Sequence, residues 1–516
     1  MDRARVRPLA LSGPMGVGKS TVGRRVAELA GVPFVDVDEE IARASGRSIP
    51  EIFRLEGEVG FRARERATLA ELLEGPPRVL SLGGGAVVDP ETRRLLIDRA
   101  ILLTLDAPVE TLLARLGPEQ IAGRPLLAEG DPAARLRAVI AARAEAYAEA
   151  HARISTHRRT ADEVAGGALA SWNRDPVAVA LGERTYRIEV GEGARRELRP
   201  LLQALGGKVL LVSDDRAWPL VGPRLDDLEL AGRVILPTGE IHKAIASVEA
   251  IWDAALDAGL DRRGVVLAVG GGVVGDLAGF AASTLLRGVR FVQVPTTLLS
   301  MVDASVGGKT AIDRPQGKNL VGAFHQPSGV IADVELLSTL STREVRSGMS
   351  EVAKTALVGD RALLEDLERG ERDLVRIVRA SIAHKARVVA ADERDLTGAR
   401  AALNFGHTVG HALESHAGYE RLTHGEAVAL GMIAALRIGV SRGLTPKALL
   451  ARTEALLSAL GLPVDLDAEP LAEALPRIVS DKKREGDAIA FVLLEDVARP
   501  RNVRLTLPEV RAALGV

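Results

Sequence analysis

Short apolar runs recur along the first third of the chain, and most end at glycine or aspartate. Positions 9–12 form one such run ahead of a glycine-rich segment, and 34–37, 78–82 and 100–105 form three more. Positions 22–29 repeat their apolar residues with helical period. Stretches near 133–150 and 162–172, rich in alanine and charge, also read as helices. Apolar strands alternating with helices predict a parallel sheet and an α/β domain. The polar segment Asn173, Arg174, Asp175 and Pro176 breaks this pattern. The alternation restarts with strand-like runs at 208–213, 232–236, 265–269 and 290–295, then becomes mostly helical near 340. The expected organisation is an α/β domain over 1–172, a linker over 173–176, a nucleotide-binding α/β domain over 177–338 and a mainly helical domain over 339–516.

Composition narrows the function classes. At 516 residues the chain exceeds one compact core. Its formal charge of −2 lacks the basic excess that nucleic acid demands. No uninterrupted apolar window is long enough for a membrane span. The arginine-rich opening residues lead directly into the first strand, so no signal peptide is expected and the cytoplasm is the expected location. Cysteine is absent, so a transition metal would need His, Asp and Glu ligands. Of the 67 basic residues only 10 are lysine. A chain that uses arginine for generic charge marks with lysine the places that need a compact or titratable cation. Eight of the 10 (Lys19, Lys243, Lys309, Lys318, Lys354, Lys385, Lys482 and Lys483) fall within the motifs that follow.

Gly13, Pro14, Met15, Gly16, Val17, Gly18, Lys19 and Ser20 satisfy the full phosphate-loop pattern between a strand and a helix. The glycines let backbone N–H groups close on phosphate oxygens. Lys19 reaches the β- and γ-phosphates, and the Ser20 hydroxyl can ligate Mg²⁺. Asp36 and Asp38 end the second strand, where one carboxylate can meet the Mg²⁺ shell and the other a substrate hydroxyl. Arg62, Arg124 and Arg143, with Gly83, Gly84 and Gly85, suggest a carboxylate clamp over a loop that a ligand approaches closely.

Residues 8–172 closely resemble shikimate kinase, on the loop from Gly13 to Arg24, the D-x-D, F-R-x-x-E and G-G-G-A segments, and Arg124, Pro125, Leu126 and Leu127. The resemblance implies ATP contacts at Gly13, Gly16, Gly18, Lys19, Ser20, Thr21, Arg115 and Arg124, the last from a lid. It implies Mg²⁺ at Ser20 and Asp36, and shikimate held by Asp38, Arg62, Gly83, Gly84, Gly85 and Arg143. Lys19, Asp38 and Arg124 would be catalytic, for in-line transfer of a γ-phosphoryl group.

In the second half, the run 265–269 leads into Gly270, Gly271 and Gly272 ahead of a helix, a turn suited to a pyrophosphate. His407 and His411 lie four apart on one helical face, His424 follows, and Glu351 precedes Lys354 by three. One carboxylate and two imidazoles can hold Zn²⁺ with positions left open. The lysines imply a substrate carrying phosphate and carboxylate.

Residues 177–516 resemble 3-dehydroquinate synthase, with a Rossmann-like NAD-binding domain and a helical metal-binding domain. The resemblance implies NAD⁺ at Asp214, Glu240, Lys243, Gly271, Gly272, Val273, Asp276, Thr296, Thr297, Lys309 and Lys318. Zn²⁺, or Co²⁺, would be held by Glu351, His407 and His424. Substrate would meet Asp303, Lys309, Lys318, Asn319, Lys354, Lys385, Arg400, Asn404, His411 and Lys482. Lys309, Lys354, Lys385 and His411 would be catalytic. Arg287 would reach a partner's phosphate site, which implies a homodimer through this half. The implied reaction takes 3-deoxy-D-arabino-heptulosonate 7-phosphate to 3-dehydroquinate and phosphate. A related sugar-phosphate cyclase, a metal-dependent polyol dehydrogenase, or in the first half another small-molecule kinase, remain open alternatives. A binding protein with one decayed half would have lost Lys19, Asp38, Glu351 or His407, and all are present.

Overall fold

The computed structural model describes residues 7–122, 127, 130–225, 227–418, 421–480, 484–485 and 488–516. The chain divides into two compact units, Met1–Arg187 and Ile188–Val516.

The first unit is built on a five-stranded parallel sheet. Its strands lie in the order Phe34–Asp36, Val79–Ser81, Leu9–Ser12, Ile101–Asp106, Ala152–Ser155. Side chains alternate along each strand, so Leu9 and Leu11 face one layer and Ala10 the other. The first layer packs Val22, Leu112, Leu136, Val164 and Trp172, and the second packs Ile41, Ile52, Phe61, Leu69 and Tyr147. Burial on both faces explains why these strands read as continuous apolar runs. The phosphate loop, the Asp36 turn and the glycines at 83–85 all leave the carboxyl ends of adjacent strands. That end of an open parallel sheet is where ligands bind. The polar segment at 173–176 is tied down. Asn173 and Arg174 finish the helix Ala161–Arg174, and Asp175 takes a left-handed φ of 50°. Arg7 then bonds Asp175 Oδ1 at 2.6 Å and the Pro176 carbonyl at 3.0 Å.

The second unit opens with a larger parallel sheet. Tyr186–Gly191, Gly329–Asp333, Arg290–Pro295, Val265–Gly270, Val209–Asp214 and Gly232–Leu236 follow one another across it. The helix Gly272–Thr284 starts directly after the strand Val265–Gly270. A separate antiparallel hairpin, Lys309–Arg314 with Gly317–Phe324, carries three of the expected site residues. Beyond it stand the helices Thr342–Gly359, Leu374–Ala391, His407–His416 and His424–Ser441. The region is not helical to its end, because Ala488–Asp496 and Arg499–Thr506 pair as an antiparallel ribbon.

Two helices approach each other closely enough to decide the site. A Cβ on Gly431 would stand 1.9 Å from the Gly406 carbonyl oxygen, so only glycine permits that distance. His424–Ser441 therefore lies backbone-to-backbone against the start of His407–His416.

Candidate active sites

In the first unit Lys19 opens the helix Lys19–Ala30, and its Nζ donates to the Gly13 and Pro14 carbonyls at 2.9 and 3.2 Å. Ser20 Oγ donates to Asp36 Oδ2 at 2.9 Å, so the two groups expected around Mg²⁺ already touch. Thr21 is exposed beside them. Val37 and Asp38 do not continue the strand. Asp36 caps a helix, Val37–Ser45, by accepting from the Asp38 amide, and Asp38 sits in its first turn. Burial raises the Asp38 carboxyl above its ordinary range, and Asp36 adds to this, while Lys19 and Arg62 hold it back. A group poised in this way suits proton transfer.

Arg62 donates to Glu65 Oε2 at 2.6 Å, and Glu65 is fully buried. The glycines beside them leave no room for side chains. A Cβ on Gly83 would fall 2.8 Å from Asp38 Oδ1, and one on Gly85 would fall 2.5 Å from Arg62 Nη2. Arg143 and Tyr147 both donate to the Gly84 carbonyl, each at 2.7 Å. Arg143 is not inside a helix as expected. It occupies the break between Pro132–Ala142 and Ala144–Ala148, with φ −110°. Asp38, Arg62 and Arg143 thus meet at one glycine loop. Arg115 donates to the Val17 carbonyl at 3.2 Å and to Thr156 Oγ1 at 2.8 Å, which braces the phosphate loop. Arg124 lies outside the described residues.

In the second unit a cavity of about 230 Å³ lies over the amino end of Gly272–Thr284. Asp214, Thr238, Gly271, Gly272, Val273, Thr296 and Thr297 line it. A glycine turn, a helix N-terminus and flanking hydroxyls form a cradle that fits a dinucleotide's pyrophosphate and ribose. Lys243, 5% exposed, pairs with Asp276 at 2.6 Å and donates to Asn319 Oδ1 at 2.5 Å. Burial pushes the Asp276 carboxyl up to about 6, against the pull of Lys243. Lys318 stands 3.5 Å from Glu240 and 3.2 Å from Glu414.

Glu351, His407 and His424 each offer one ligand atom, all within 4.8 Å of one another. His407 Nε2 and His424 Nε2 stand 3.5 and 3.6 Å from the same oxygen, Glu351 Oε1. Glu351 is 1% exposed, and its Oε1 accepts no hydrogen bond among the described residues. A buried carboxylate oxygen facing two imidazoles fits a divalent cation of borderline softness. Beside them Lys354 pairs with Glu351. Lys385 Nζ donates to Asp303 Oδ1 at 2.6 Å, and Lys354 stands 3.9 Å from the same atom. Burial alone would raise the Asp303 carboxyl, but the two ammoniums hold it well below the carboxylate range. Burial lowers Lys385, whereas Glu351 and Asp303 outweigh burial and raise Lys354.

The remaining expected residues lie at varied distances from this cluster. His411 places its ring centroid 5.1 Å from that of His407. Asn404 ends a short turn, Ala399–Asn404, just before His407. Arg400 is buried and donates to the Glu393 carbonyl at 2.9 Å. Lys309 is half exposed and pairs with Asp395 at 2.6 Å. Arg287 is exposed at a turn after Gly272–Thr284, with φ 69°. Lys482 lies outside the described residues. Glu65, Tyr147 and Glu414 support the sites and were not expected. Glu414 was findable, since it lies three positions after His411 on the same helical face.

Comparison with known proteins divides the chain in the same way. The shikimate kinase family matches residues 15–171, and the N- and C-terminal regions of the 3-dehydroquinate synthase family match 233–347 and 348–484. The 3-dehydroquinate synthase of Geobacter metallireducens is 46% identical over 66% of this chain and 99% of its own. A 2-deoxy-scyllo-inosose synthase, solved with carbaglucose-6-phosphate, NAD⁺ and Co²⁺, is 26% identical. That match covers 66% of this chain and 99% of that one, with a TM-score of 0.60. Shikimate kinase from Acinetobacter baumannii, solved with shikimate, is 42% identical over 32% of this chain and 92% of its own, with a TM-score of 0.30.

Proposed function

We infer, from the premise that this chain belongs to the shikimate kinase family in its first unit and to the 3-dehydroquinate synthase family in its second, that it is a bifunctional enzyme of the shikimate pathway. The first unit phosphorylates shikimate with ATP. The second converts the heptulosonate phosphate to 3-dehydroquinate and phosphate. One observation supports this reading at the level of residues: each unit holds a cluster of its own, Asp38 with Lys19 and Arg62 in one, Glu351 with His407 and His424 in the other.

In the kinase, the loop amides and Lys19 hold the nucleotide phosphates, and Ser20 and Asp36 would ligate Mg²⁺. Arg62, fixed by Glu65, and Arg143 bind the shikimate carboxylate. Asp38 accepts the proton of the attacking hydroxyl or orients it. In the synthase, Glu351, His407 and His424 would hold Zn²⁺ or Co²⁺, and the glycine-lined cavity would hold NAD⁺. Together these groups supply Lewis acidity toward substrate hydroxyls and a hydride acceptor that returns its hydride. Lys354, Lys385, Arg400 and Lys309 orient the substrate's phosphate and carboxylate, and His411 moves protons. The synthase unit forms a homodimer to which Arg287 contributes, and the enzyme works in the cytoplasm. Among the described residues no helix is long and apolar enough to cross a membrane.

Two assays test this. Shikimate with Mg·ATP should yield ADP, and the heptulosonate phosphate with NAD⁺ and Zn²⁺ should release phosphate. No turnover in either assay rejects the corresponding half.

A further inference from the structure

Glu414 belongs to the helix His407–His416 and is 7% exposed. Its two oxygens serve different partners. Oε2 stands 3.3 Å from His424 Nδ1, and Oε1 accepts from Lys318 Nζ at 3.2 Å. The other nitrogen of that ring, His424 Nε2, stands 3.6 Å from Glu351 Oε1. Lys318 lies on the hairpin strand Gly317–Phe324 and is 3.5 Å from Glu240. A single carboxylate therefore joins the hairpin to the imidazole that completes the Glu351, His407 and His424 set.

We propose that Glu414 is a positioning residue for the metal site, acting through His424 and held in place by Lys318. The proposal rests on the reading of Glu351, His407 and His424 as metal ligands. An imidazole binds a metal through its unprotonated nitrogen. A carboxylate that accepts from Nδ1–H selects the tautomer with its lone pair on Nε2 and stops the ring from turning. His407 receives the same service from a backbone group, since its Nδ1 lies 3.2 Å from the Phe405 carbonyl oxygen. Each imidazole thus has a fixed outer nitrogen and an inner one directed at Glu351.

His411, Glu414 and His424 also offer ligand atoms within 4.8 Å of one another, which raises the rival of a second ion there. The Lys318 ammonium argues against it, because its positive charge already faces the Glu414 carboxylate. His424 would also have to serve both ions at once.

The test uses the full chain, stripped of metal and titrated with Zn²⁺ against a competing chelator, with bound zinc counted per chain and melting followed in parallel. Glu414→Ala should raise the zinc dissociation constant by about 10-fold or more. Glu414→Gln, which keeps the size and an acceptor oxygen, should fall between it and wild type. Stoichiometry and the melting of the metal-free protein should stay near wild type, and excess zinc should restore synthase turnover. Should the alanine variant fail to fold, the glutamine variant alone decides by the same shift. Wild-type zinc affinity in both variants would overturn the proposal while leaving the metal site intact. Loss of one of two bound ions in Glu414→Ala would make Glu414 a ligand and overturn it as well. If wild type binds zinc no more tightly than His407→Ala, the metal reading itself fails and takes the proposal with it.

Discussion

Asp303 faces two buried ammoniums, those of Lys354 and Lys385, and so holds together charges that two different helices deliver. Replacing it with asparagine removes the carboxylate that Lys385 faces at 2.6 Å, while Lys354 keeps Glu351. Asp303→Asn should destabilise the synthase unit by about 3–5 kcal/mol. Hydrogen exchange should show the loss in Leu374–Ala391, with kinase turnover unchanged. A second buried group makes the first unit sensitive to acid. His151 is 1% exposed and accepts from the Leu102 amide at 3.0 Å. Burial, then Arg7, depress its pKa well below 6.5. The unfolded chain therefore binds a proton that the folded chain refuses, so stability is full above 6.5 and falls as pH drops. The slope approaches about 1.4 kcal/mol per pH unit. Exchange at the Ile101–Asp106 amides, compared between pH 7.5 and about 5.5, reads it. His151→Leu should flatten the dependence.

Helix caps connect stability to the metal site. Thr423 caps His424–Ser441 through a capping box with Glu426, and Ser341 caps Thr342–Gly359 with Glu344. Either alanine substitution should cost about 1 kcal/mol in the synthase unit. Their effects on metal should differ. His424 is the first residue of its helix, whereas Glu351 lies well inside the other. Thr423→Ala should therefore weaken zinc binding several-fold, and Ser341→Ala should leave it near wild type in the same chelator titration. The apolar strands and the phosphate loop were legible in the sequence because burial on both faces writes itself as an unbroken apolar run. Three features were not. Val37 looks like strand, yet the Asp36 side chain turns it into a helix. The hairpin 309–324 is largely exposed, so no apolar run announces it. The antiparallel sheet of Ala488–Asp496 with Arg499–Thr506, edged by Arg484–Glu485, lies in a region of helical pattern. For the proposed metal ligands the sequence showed the residue types, while their convergence depends on the Gly431 approach, which no local pattern records.

Across the whole molecule, two units with separate constellations predict separable activities. Lys19→Ala should abolish phosphoryl transfer and leave phosphate release from the heptulosonate within two-fold of wild type. His407→Ala should do the reverse. Loss of both activities in either variant would mean that one unit depends on the other to fold. The sparse lysines have a practical consequence as well. Lys354, Lys385 and Lys243 are 2, 8 and 5% exposed, while Lys208 and Lys447 are open to solvent and outside both constellations. An amine-directed acylating reagent or an activated resin would therefore engage Lys208 and Lys447 before those three. Among the described residues Lys309 is more exposed than Lys318, the other half-open lysine proposed for the synthase site, so its acylation rate would report whether substrate is seated.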